Sequence, residues 1–76
     1  MQDGDYKLAR DLFAKEVDRA PYYHEFRYWL AAAYVNLGQT EDARKQLALA
    51  MEFSTTRGDY DLYSAKLARI SAARTN

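Results

Sequence analysis

A spacing that occurs twice constrains this chain more than any other feature. Gly38 is followed five residues on by Ala43 and four residues later by Leu47; Gly4, Ala9 and Phe13 repeat the pattern. Gly4 and Gly38 lie 34 residues apart, as do Ala9 and Ala43. A fixed period of this size marks stacked supersecondary units, not one irregular core. Each position has a physical reading. The glycine suits the left-handed position that closes a helix. The alanine lets the next helix approach closely. The larger apolar residue fills the space one turn further along.

Apolar spacing predicts four helices. The first covers about residues 5–19: Leu8, Leu12, Phe13, Glu16 and Val17 follow helical spacing, with Asp3 or Asp5 as cap. Ala20-Pro21 ends it, because the residue before proline is pushed out of the α region. The second covers about 22–37, where Phe26, Leu30, Ala33 and Leu37 form a stripe that Trp29 and Tyr34 widen. The third covers about 40–53, capped by Thr40, with Ala43, Leu47, Ala50 and Met51 on its apolar face. "STTRGD", residues 54–59, is the longest polar break. The fourth covers about 60–73, with Tyr60, Tyr63, Leu67 and Ile70 on one face; "SAARTN" after it lacks an apolar anchor and is expected to fray. No segment alternates with period two, and connections of two to six residues predict antiparallel neighbours.

Composition closes several routes. The 76 residues contain no cysteine, so neither a disulfide nor a thiolate metal site is available. A chain this short buries about 60–65% of its unfolded surface. Its stability has to come from efficient helix packing, neighbouring repeats or a partner. Eleven basic and eleven acidic residues cancel and are well mixed. That argues against nucleic acid, which needs a basic face, and against a polybasic membrane anchor. No apolar run approaches the roughly 18–20 residues that span a bilayer, and no signal peptide follows Met1.

In these residues the chain resembles the tetratricopeptide repeat, a 34-residue helix–turn–helix unit. Leu30, Tyr34, Gly38, Ala43, Leu47 and Ala50 stand where that family has L, Y, G, A, F and A. Gly4, Tyr6, Ala9, Phe13 and Pro21 stand where it has G, Y, A, F and P. The resemblance covers about residues 4–55. Arg27 stands at the family's tryptophan position with Trp29 two residues later, Ala31 at its small residue, Thr40 at an aromatic and Thr55 at the proline. The resemblance implies an all-α fold of antiparallel helix-turn-helix repeats, a fragment of an α-solenoid. Residues 3–21 are then the second helix of a partial repeat, 22–55 a full repeat and 57–74 a capping helix. Because the pattern starts in mid-repeat, the chain reads as an excised fragment or the end of an array.

The implied function is a non-catalytic interaction or scaffold module that binds a peptide or partner protein in a concave groove. Glu25, Tyr28, Ala32, Val35 and Asn36 lie on the face that lines this groove in the family, and Tyr63 is added from the fourth helix. Phe26, Trp29 and Leu30 are expected to point inward. The family's carboxylate-binding variant uses lysine, arginine and asparagine, but Glu25, Tyr28, Trp29 and Ala32 are none of these. Apolar and aromatic contacts should therefore lead.

The chemistry-bearing residues point to no reaction. His24 is the single histidine, so HExxH zinc ligation has no second ligand; a surface or helix-start histidine is the expectation. The acidic residues alternate with basic ones as a solvated face, with Asp11–Lys15 and Glu41–Lys45 as i,i+4 pairs. Arg57, Lys66, Arg69 and Arg74 make the last third mildly basic, as cations toward a helix end would. No nucleophile, base and orienting group can be named together, so neither enzyme nor cofactor is expected. Two rivals stand beside the groove. Leu8, Leu12 and Phe13 could pair with a second copy in a homodimer. Alternatively, the chain could be an accessory segment of a larger bacterial envelope protein or enzyme. The compartment is open, with the cytoplasm the default.

Overall fold

The computed structural model describes residues 3–74, and the side chains of residues 4–72. They form four α-helices: α1 (Asp3–Arg19), α2 (His24–Asn36), α3 (Thr40–Phe53) and α4 (Arg57–Arg74). No strand occurs among the described residues. Each helix packs on the next in order. The result is a slab of 36 × 33 × 18 Å. A helix with its side chains is about 10 Å across, so the slab is two helices thick.

The boundaries follow from local chemistry. α2 begins at His24 and not at Tyr22, because Pro21 and Tyr22 form a turn, closed by Tyr23 N–H donating to the Ala20 carbonyl at 3.1 Å. α2 ends in a Schellman motif. Gln39 N–H donates to the Tyr34 carbonyl at 2.8 Å, and Gly38 N–H donates to the Val35 carbonyl at 3.0 Å. This geometry needs a left-handed residue, and Gly38 has φ +75°. A Cβ there would meet nothing within 4 Å, so the cost of a side chain is backbone strain alone. Gly38→Ala should therefore lower unfolding free energy by about 1 kcal/mol, read by chemical denaturation.

The other helix starts differ from expectation too: α1 takes Asp3 and Asp5, its expected caps, into its own first turn, and Gly4 between them is helical. Thr40 is the first residue of α3 and not its cap. The cap position falls on Gln39, whose side chain bonds elsewhere: its Oε1 accepts Arg10 Nη1 at 3.2 Å, tying α1 to the α2–α3 turn. α4 starts at Arg57, three residues before Tyr60. Thr56 Oγ1 accepts the Asp59 N–H at 3.1 Å, so half of the polar break becomes a capped first turn. The Thr-x-x-Asp spacing in the sequence was the available signal. At the other end α4 runs to Arg74, and residues 75–76 lie outside the described region.

The central core consists of Ala31 from α2, Ala43, Leu47 and Ala50 from α3, and Tyr63 from α4. Three alanines bring the helices close, and one tyrosine fills the remaining volume. Val17 of α1 and Leu30 and Ala33 of α2 are also buried, outside that cluster. Trp29 departs from expectation: it is 49% exposed. α2 already buries faces toward three neighbours, and Trp29 projects from the remaining one, where its ring packs edge-on to Tyr28 at 5.0 Å. Arg27 serves the α2–α3 interface instead. Its Nη1 donates to Gln46 Oε1 at 2.9 Å, its Nε donates to the Pro21 carbonyl at 2.9 Å, and its guanidinium lies 5.5 Å from the Phe53 ring centre. On the surface, Asp11 pairs with Arg10 in place of Lys15, and Glu41 pairs with Arg44.

Candidate functional site

Two helices that run side by side build the site. α2 and α4 meet at His24 with Asp59 and, one turn on, at Tyr28 with Tyr63. Equal steps in the same direction mean the two helices are parallel. Further along they diverge, and the gap is a groove of about 310 Å³. Its floor is Ala31 and Leu47, both buried. Tyr28, Ala32, Val35 and Asn36 form the α2 wall; Lys66, Arg69 and Ile70 form the α4 wall.

Four of the six residues predicted for a groove thus share one concave surface. The spacing 28, 32, 35–36 is a helical stripe, the face of α2 that the family resemblance had marked. The other two stand differently. Glu25 lies one turn beyond the groove, exposed, and accepts a hydrogen bond from the Tyr23 hydroxyl at 3.4 Å. Tyr63 lies beneath it, 2% exposed, and supports the Tyr28 ring from below at 5.2 Å. A partner in the groove would rest on Tyr28 and not on Tyr63.

Lys66 and Arg69 are the residues sequence reasoning missed here. In the sequence alone they stand only as favourable charges toward a helix end. Lys66 lies three residues after Tyr63, on the same face of α4, so the register of α4 was the missing information. Asn36 Nδ2 donates to the Ala32 carbonyl at 2.9 Å, which holds the side chain against its own helix.

His24 also needs correction. It stands at the helix start but is only 7% exposed. Its Nδ1 shares a hydrogen bond of 2.7 Å with the Tyr63 hydroxyl, and its Nε2 lies 3.9 Å from Asp59 Oδ2. The ring is a clasp between the starts of α2 and α4. No group of three potential metal ligands forms among the described residues. No described helix is long and apolar enough to cross a membrane.

Burial pushes the Tyr63 hydroxyl up to about 12, with the carboxylates of Asp59 and Glu25 adding to the rise. Between about pH 10 and 12 the unfolded chain releases this proton while the folded one keeps it. The native state then binds more protons, so stability falls as pH rises. It is undiminished below the ordinary tyrosine value and lost progressively through the folded one. The expected loss is on the order of 3 kcal/mol, at about 1.4 kcal/mol per unit. Urea unfolding at stepped pH should show this slope in the native chain, and a shallower one in Tyr63→Phe.

A protein-family model described as tetratricopeptide repeat matches residues 1–70, a span that reaches into α4. Comparisons with curated proteins and with solved structures returned no match.

Proposed function

Because the chain belongs to the tetratricopeptide repeat family, whose members generally act as protein-interaction modules and are typically not catalytic, we propose that it binds a peptide or partner protein in the groove between α2 and α4. The observation that carries this reading is the groove itself: an open, mainly apolar channel with an alanine–leucine floor and the Tyr28 ring on one wall. A partner side chain can bury apolar area there without displacing a core residue. In this reading α1 is the second helix of a preceding unit, α2 and α3 form one repeat, and α4 is the cap that closes the groove. Ala32→Arg puts a long charged side chain into the channel from a wall position outside the buried core. It should abolish selection of peptides from a displayed random library while leaving the thermal unfolding midpoint within a few degrees. Unchanged peptide recovery would exclude the groove.

A second reading rests on α1. Leu8 and Leu12 are 58% and 52% exposed, one turn apart on the same face. In this reading a second copy covers that face. Light scattering over a concentration series should then show a dimer that Leu12→Glu splits. A native chain that stays monomeric at every concentration would rule it out.

A further inference from the structure

The groove and its approach carry opposite charges at their two ends. On α4, Asp59, Tyr63, Lys66 and Ile70 follow one another at helical spacing along the face turned to α2. Asp59 sits beside His24, and Lys66 and Arg69 line the groove further along. Glu25 on α2 lies at the Asp59 end, and both carboxylates act on the Tyr63 hydroxyl. Seven residues separate Asp59 from Lys66, which is about 10 Å along a helix. Among the described residues no ion pair engages Lys66 or Arg69, although four arginine–carboxylate pairs form elsewhere. Two cations thus project into an apolar channel without a counter-charge, and two carboxylates mark its far end.

We propose that the groove takes a charge-polarised segment of a partner protein, with acidic side chains at Lys66 and Arg69, apolar ones over the floor, and basic ones at Glu25 and Asp59. This rests on the groove reading above and adds the partner's chemistry and its orientation. A uniformly acidic segment would be repelled at the Glu25 end, and a uniformly basic one at the Lys66 end. An extended chain advances about 3.3 Å per residue, so roughly three apolar residues separate the charges of the partner. Complementary charges of this kind set register and exclude wrong partners more than they add affinity.

The test uses seven-residue fluorescent peptides with blocked ends, so that side-chain charge alone is read. One carries two acidic residues, three leucines and two lysines in that order. The others replace the charged pairs by all acidic, all basic or all serine residues. Anisotropy titrations should show the polarised peptide binding on the order of tenfold tighter than the other three, with the advantage shrinking as salt rises. The double variant Lys66→Glu with Arg69→Glu makes the groove acidic throughout. It should move the preference to the all-basic peptide, with an unchanged circular dichroism spectrum. If the variant still prefers the polarised peptide, or the native chain binds the serine peptide equally well, the polarity is overturned while peptide binding stands. If no peptide binds the native chain, the polarity and the groove reading fail together.

Discussion

Tyr63→Ala should cost about 3–5 kcal/mol of unfolding free energy, the range for emptying a buried aromatic site. For a 76-residue chain that is a large part of the total. The ring is the one aromatic among the fully buried core residues, the others being alanines and Leu47, and the longer side chains around it, among them Tyr28, Met51, Leu67 and Ile70, would have to leave their own contacts to fill the space. Its loss also leaves the buried His24 Nδ1 without its partner, a further cost of about 1–3 kcal/mol when that group stays dry. Tyr63→Phe separates the two effects. It keeps the ring and removes only the hydroxyl, so its cost should stay within that smaller range. Denaturant unfolding followed by circular dichroism measures both. Equal losses for the two variants would mean that the hydrogen bond, and not the packed ring, secures α4.

Ala43→Leu should cost about 3 kcal/mol, the upper end for overpacking a closed site. Ala43 is fully buried where α2 lies against α3. Three added carbons have no void to enter, so the helices must separate or the leucine must leave its preferred rotamers. Ala48, exposed on the same helix, is the control, and Ala48→Leu should change stability by less than about 0.5 kcal/mol. Thermal unfolding of both variants, monitored at 222 nm, decides the matter. A neutral Ala43→Leu would show that close approach at that contact is dispensable.

The alanine and glycine positions were legible because their causes are local or periodic. A left-handed helix stop needs a residue without a Cβ, and a close crossing needs a small one; the 34-residue spacing marked both, although only Gly38 is a helix stop and Gly4 lies within α1. The α2 face that lines the cavity was marked through the family resemblance, not by a local cause. Trp29, His24 and the α4 wall were not legible, because each depends on which neighbour covers which face. A single α2 projection could not say that three faces were already occupied, so Trp29 was placed inward. His24 was read as a surface residue because nothing in its own segment announces Tyr63, 39 positions later, as its partner. Lys66 and Arg69 became groove residues only when α4 took its register against α2. The early start of α4 is a different case: Thr56 and Asp59 had the spacing of a cap, but Gly58 between them read as loop.

One wall of the groove is a helix that packs along α3 and is tied to α2 through Tyr63 and its clasp to His24. Occupancy of the groove and docking of α4 are therefore thermodynamically linked. Whatever bridges α2 and α4 stabilises α4 by RT ln(1 + [L]/Kd), and whatever loosens the clasp weakens binding by the same factor. Amide hydrogens of α4 should then exchange more slowly when a peptide is bound, although few of them touch it. On the proposed groove reading, α4 is both a wall of the site and the reporter of its occupancy.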